Sequence, residues 1–303
     1  MRRLRTVCGL CLLLSAVFGP YRAAAEEVLV IQSGNLRLYS LAAEGVVSSF
    51  HEARGEHVTL LNLEEIKPGE EGAAPAKPDL VLTVGADATR YSIEHYPATP
   101  TVYCMVVRPE RLHLPDHIIG ISMFSTVADM LATLTLISGN VRHVGVLHRP
   151  EHRQVIQEAI DGLTGYEITL IPVEVPDERA FPKLARRLVL QSDALWIVPG
   201  SITNVDAFRF LRRLSFEHRV PLVGDSAAMV RAGALISITP DPVDVGRQAA
   251  RLGGYLMSGE SLPPDRLFYP DMANLAINFK TARAMGIEVP PMLADFASET
   301  VGR

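Results

Sequence analysis

Residues 80–106 read LVLTVGADATRYSIEHYPATPTVYCMV, and this stretch decides the fold. Leu80 to Val84 is an unbroken apolar run of β-favouring residues, which suits a strand covered on both faces and not one with a wet side. Gly85 ends the run, Ala86 to His95 predicts a helix, and Thr101 to Val106 is a second apolar run. Strand, helix and strand in that order make a parallel pair joined by a right-handed crossover.

Outward from this unit the pattern repeats. On its N-terminal side Val28 to Gln32 predicts a strand, Leu38 to Arg54 a helix and Val58 to Leu63 a strand, with residues 64–78 a connection rich in Glu, Pro and Ala. On its C-terminal side the alternation pauses at 115–122 and resumes. Ser125 to Ser138 predicts a helix, with Ser125 or Thr126 as N-cap and Asp129 in the first turn. Strands are expected at Val141 to Leu147, Glu167 to Val173, Ala194 to Val198 and Pro221 to Val223. The helices between them are expected at Glu151 to Leu163, Glu178 to Gln191 and Asn204 to His218. In the tail, Asp244 to Ser258 predicts a helix carrying Gly246, Ala249, Ala250 and Gly253, small residues that allow close backbone approach. Gly259 stops it. Ala273 to Ile277 predicts a strand and Thr281 to Met285 a short helix, and Pro290-Pro291 opens a last helix. Two series of this kind predict an α/β protein of two lobes with a cleft between them; one continuous sheet is the alternative.

The first residues differ in kind. Arg2, Arg3 and Arg5 precede an apolar run from Val7 to Phe18, then Gly19-Pro20 and Ala23-Ala24-Ala25. This is the layout of a secretory signal, expected over 1–25 with cleavage after Ala25. The alternative is an uncleaved anchor, for which the run is short, since a span needs about 20 apolar residues. Cys8 and Cys11 lie inside the run and not at the cleavage point, so no lipid anchor is expected. Export leaves Cys104 alone, without an internal disulfide partner and set in an apolar strand. The remaining chain is apolar enough, at 48% hydrophobic residues, to be held by its core alone. A net charge of -5 and the lack of any basic run argue against a nucleic-acid partner.

Five segments in order carry a resemblance: GALISI at 233–238, VGRQAA at 245–250, Ser258-Gly259, AINFKTARAMGI at 276–287 and VPPML at 289–293. Together they resemble the C-terminal part of ABC-transporter substrate-binding proteins of the tryptophan/tyrosine-binding type, which have the type I periplasmic-binding-protein fold. The likeness is plain from about 118 to 301 and weaker from 27 to 115. It implies two Rossmann-like lobes with parallel sheets, joined by three crossing strands. The lobes would comprise 26–120 plus 239–270, and 121–238 plus 271–303. It also implies a periplasmic, monomeric protein that holds a small-molecule solute and meets an inner-membrane ABC permease transiently. Such a protein needs no cofactor.

Enzyme signatures are missing. The chain has no Gly-x-Gly-x-x-Gly after a strand, no Walker pattern, no Gly-x-Ser-x-Gly and no HExxH. His51 and His57 complete no motif. His143, His148 and His152 are the densest histidine group, but Pro150 intervenes and no carboxylate completes a metal site, so solvated loop histidines are expected. No catalytic residue is assigned.

For a binding protein the useful positions are the strand-to-helix loops, where free backbone N–H groups gather. In the first lobe these are Ser33 and Gly34, with Asn35 beside them, and Gly85, Ala86 and Asp87. In the second they are Ser122 and Ser125, then His148 and Arg149, then Gly200 and Ser201, then Asp225 and Ser226. Tyr103 and Phe124 are candidates for an aromatic wall, while Trp196, inside a strand, is expected in the core. Several of these have plainer uses, Gly34 and Gly85 as turns and Asp87, Ser125 and Ser226 as caps.

Three loops depart from the family. Arg108-Pro109 stands where Asp-Pro is usual, His148-Arg149-Pro150 where Tyr-Asn-Pro is, and Gly200-Ser201-Ile202 where Asp-Asn is. The acid that would answer an ammonium is gone and two arginines appear, which suits an anion; surface arginines pointing away are the alternative. A periplasmic sensor or adaptor with a degenerate cleft is the second functional reading, and an exported enzyme the third.

Overall fold

A computed structural model describes residues 26–53, 57–66, 77–201, 204–260 and 265–303. The expected signal segment 1–25, most of the 64–78 connection and Ile202 lie outside the described residues.

The chain forms two sheets. The first half supplies β1 (Glu27–Gln32), α1 (Arg37–Ala53), β2 (His57–Asn62), β3 (Leu80–Val84), α2 (Ala86–His95), β4 (Thr101–Val106) and β5 (Ile118–Ser122). Then follow α3 (Val127–Ser138), β6 (His143–His148), α4 (Arg153–Asp161), β7 (Thr169–Glu174), α5 (Phe181–Val189), β8 (Ala194–Trp196) and α6 (Val205–His218). The chain continues through β9 (Leu222–Gly224), α7 (Ala227–Arg231), β10 (Ile236–Pro240), α8 (Pro242–Ser258) and β11 (Leu267–Phe268). It ends with β12 (Ala273–Asn278), α9 (Phe279–Met285), α10 (Pro291–Phe296) and β13 (Glu299–Val301). The sheet orders are β11-β5-β4-β3-β1-β2 and β13-β12-β10-β9-β8-β6-β7. Pairing is parallel throughout except between β10 and β12. Two separate sheets exclude the single-sheet alternative.

The strand runs are apolar because both faces are covered. In β1, Val28 and Val30 join the core under α1 and α8, while Leu29 and Ile31 join the opposite cluster with Ala88 of α2. Side chains alternate across the sheet, so each face takes every second residue. In the second sheet Val144 and Val146 face one core and Leu147 the other.

The chain passes between the sheets three times, after β5, after β10 and after β11. The second passage delivers α8 to the first sheet, where it packs on α1 closely enough to need glycine. A Cβ on Gly246 would lie 2.0 Å from the Ala42 carbonyl oxygen, and one on Gly45 would lie 2.1 Å from that of Val243. The passages are tied together. Asp241 caps α8 by accepting from the N–H groups of Val243 and Asp244, and its other oxygen accepts from Asn274 at 3.0 Å. The buried Gln248 amide donates to the Tyr269 carbonyl at 2.8 Å and accepts from Asp271 N–H at 3.2 Å.

Several short elements go beyond the sequence reading. β5 fills the expected pause, and α7, β11 and β13 have five residues or fewer. The helix expected from Glu178 starts at Phe181, because Asp177 accepts the Ala180 N–H in a turn that precedes it. No helix among the described residues is long and apolar enough to cross a membrane.

Candidate functional site

The C-terminal strand ends of the second sheet gather most of the chemistry. β6 delivers His148 and Arg149, a single 3₁₀ turn over Pro150–His152 brings His152, and the β8 loop brings Gly200 and Ser201. A Cβ on Gly200 would lie 3.9 Å from His152 Nε2, so these loops touch. The β9 loop brings Asp225, whose charged form is favoured by the nearby Ser226 hydroxyl and by the backbone of Gly200 and of Asp225 itself. Burial raises the Asp225 carboxyl above its ordinary value against the pull of those donors.

Of the three histidines expected to be solvated, His143 is exposed but His148 and His152 are not. His148 is 6% exposed, and its Nδ1 donates to the Arg149 carbonyl at 3.0 Å. His152 is part-buried with a buried Nδ1 that has no partner. Its pKa lies below the ordinary value, chiefly from burial, with further lowering by Arg108, His148 and Arg149 and an opposing effect of Glu151. Arg108 comes from the β4 end, in the other lobe, and its charge is felt at His152. Arg108 is part-buried, and its side chain has no carboxylate or carbonyl partner among the described residues. Arg149 is 3.7 Å from Glu178 across a pocket mouth.

Two hydroxyls are also left over. Ser201 is 7% exposed and its Oγ has no hydrogen-bond partner; the same holds for the buried Oγ of Ser125 in the first passage between the lobes. An orphaned buried hydroxyl costs about 1–3 kcal/mol and calls for a reason. Thr126, not Ser125, caps α3 by accepting from Asp129 N–H at 3.1 Å.

Ser201, His148 and Arg149 also line a pocket of ≈ 310 Å³ between α5 and α6. Its walls are Leu147, Val175, Phe181, Pro182, Ala207 and Phe210. Sequence reasoning missed these walls. Apart from Leu147 in β6, they lie in the first two turns of helices and just past β7, and the weighing of loops stopped at each helix start.

The first-lobe candidates are largely occupied by the chain itself. Ser33 Oγ accepts from Ala88 N–H at 2.8 Å and so serves α2 from a distant loop. Gly85 has φ +93, and a Cβ there would lie 2.5 Å from Ser33 Oγ, so the glycine holds a turn that no side chain fits. Ala86 begins α2, and Asp87 in its first turn pairs with Arg90. The Asn35 N–H, beside Gly34, donates to Glu64 at 2.9 Å, which places an internal carboxylate at the start of α1. Tyr103 is 3% exposed and packs with Val106, Leu112 and Ile118, its ring across Gly120 of the paired strand. Burial pushes its hydroxyl up to about 12. Ser122 turns back on the Phe124 backbone, accepting from its N–H at 3.1 Å, and the Phe124 side chain is part-buried. Ser226 donates to its neighbour's carboxylate and makes no side-chain cap bond to α7. Trp196 packs in the second-lobe core, and Cys104 is buried with its thiol raised to about 12. No cluster of three or more His, Cys, Asp or Glu capable of holding a metal occurs among the described residues.

Two α/β lobes, three chain passages and a polar cluster where the lobes meet define a two-lobed binding protein of the type I periplasmic kind. Solved structures agree on the fold. A substrate-binding protein with adhesive properties from Clostridium difficile, in its ligand-free open structure, aligns with a TM-score of 0.71 at 14% identity over 92% of this chain and 100% of that one. An ABC domain in complex with L-Trp from Streptococcus pneumonia aligns at 0.57 and 17% identity over 92% and 100%. A conserved domain protein from Vibrio cholerae aligns at 0.56 and 17% over 91% and 100%. No curated protein matches the chain. The profile of the ABC transporter substrate binding protein family matches residues 74–301, and the chain belongs to that family. The family is a solute-binding class and not an enzymatic one, with an ABC permease as its partner.

Proposed function

We propose that this protein is the periplasmic receptor of an ABC importer, exported by residues 1–25 without lipidation and working as a monomer that meets its permease transiently. Its lobes divide with the sheets, just past Ser122, just past Pro240 and between Phe268 and Ala273. The solute lies between them and is anionic. Arg108 carries this reading, as a part-buried residue whose side chain has no partner among the described residues and whose charge on one lobe is felt at His152 on the other. A guanidinium in that position supplies a two-pronged donor for carboxylate or phosphate.

Calorimetry with anionic and zwitterionic metabolites tests it. Anionic ligands are expected to bind, with Arg108→Gln weakening them roughly 10- to 100-fold, the effect of one charge-assisted hydrogen bond. Tight binding of tryptophan or tyrosine, unchanged in Arg108→Gln, would overturn the anionic reading.

One observation favours the second reading, a sensor with a degenerate cleft: Glu64 already fills the donor position at the start of α1. A sensor of that kind would show no thermal stabilisation by any small metabolite and would be retained by a signalling protein instead.

A further inference from the structure

We propose that the solute is a monocarboxylate with an apolar body, arylalkyl or branched alkyl, and that this body enters the pocket between α5 and α6. The inference rests on the anionic reading above and names the rest of the ligand. The pocket is lined by Arg149, His148 and Ser201 at its polar end, so one small molecule can meet a cation and an apolar wall together. A volume of ≈ 310 Å³ lies at the small end of ligand pockets.

The apolar side of the lining is fixed, facing a polar side that carries Asp177, Glu178, Asn204 and Asp206. Phe181 and Phe210 meet edge to face with centroids 6.2 Å apart, and the guanidinium carbons of Arg186 and Arg213 lie 5.0 and 5.2 Å from the Phe210 centroid. A ring held from several sides is a rigid surface, which lowers the cost of ordering a ligand against it. At the polar end the unpartnered Ser201 hydroxyl, nine-tenths buried, is free to donate to a carboxylate held by Arg149, which lines the same pocket.

Three acids line the pocket, and each already has a partner within the chain. Asp177 accepts the Ala180 N–H, Glu178 faces Arg149 and Asp206 pairs with Arg209 at 3.1 Å. Asp225 holds the Gly200 loop. An apolar acid without an amino group therefore fits better than an amino acid.

Calorimetry of the exported chain with acetate, 3-phenylpropionate and 3-phenylpropanamide separates the two ideas. The aryl acid is expected to bind roughly 10- to 100-fold tighter than acetate, the effect of burying one ring. Ala207→Leu, which fills the pocket, is expected to narrow that ratio about tenfold, and Ala207→Met, with a more flexible side chain, serves if the first variant fails to fold. Equal binding of aryl acid and acetate, or a ratio untouched in the folded variants, overturns the pocket and leaves the anionic reading in place. Equal binding of acid and amide, or no binding of any probe to folded protein, overturns both.

Discussion

His152 reports on its neighbours. Burial is the largest cause of its lowered pKa, and Arg108, His148 and Arg149 add to it. Removing Arg108 removes one lowering influence, so in Arg108→Gln the His152 titration should move upward toward 6.5, followed through the ring proton signals in NMR. No movement would mean that the guanidinium points away from the ring in solution. The sign for stability follows by linkage. The unfolded chain takes up its proton near 6.5 and the folded one only at lower pH, so this group's contribution is present above 6.5 and is lost as pH falls through the folded value. A bound anion would act opposite to Arg108 and raise the ring's affinity for its proton.

The helix pair α1 and α8 shows how closely element packing depends on single atoms. In Gly246→Ala the new methyl would meet the Ala42 backbone carbonyl at 2.0 Å, and backbone cannot swing aside. We expect a loss of at least about 1–3 kcal/mol in denaturant unfolding. Gly254 in the same helix has nothing within 4 Å of its would-be Cβ. Gly254→Ala should therefore stabilise, by about 0.5–1 kcal/mol, through helix propensity alone. If the two substitutions behave alike, the close helix contact is wrong. The small residues at 246, 249, 250 and 253 were readable as a packing stripe, and β1, β3 and β4 were readable as runs, because covering both faces leaves no polar alternation to confuse with helix. β11 and β13, of two and three residues, carry too little pattern to read and exist only because a neighbouring strand pairs with them. The site was readable as a set of loops but not as a set of contacts. That Ser33 would cap α2 from 55 positions away, or that Ser201 would be left without a partner, depends on folded geometry that no local pattern encodes.

Across the whole molecule the same charges bear on motion. Arg108 lies on one lobe and Arg149 on the other, so bringing the lobes together concentrates positive charge unless something negative lies between. Over such separations salt screens only in part, with a Debye length of about 8 Å at physiological ionic strength. The empty protein should then favour an open arrangement, and a bound anion should favour closure by its preference for the state in which both lobes touch it. Rotation would occur at the three passages, where the Asp241–Asn274 and Gln248 bonds tie the second and third together and make them turn as one hinge. Small-angle scattering should show a smaller radius of gyration on saturation with 3-phenylpropionate. Arg108→Gln should be more compact than the wild type when empty, and should contract less when the acid is added. A wild-type radius that does not change at saturation, or an Arg108→Gln protein identical to wild type in both states, would mean that charge at the lobe junction does not govern closure.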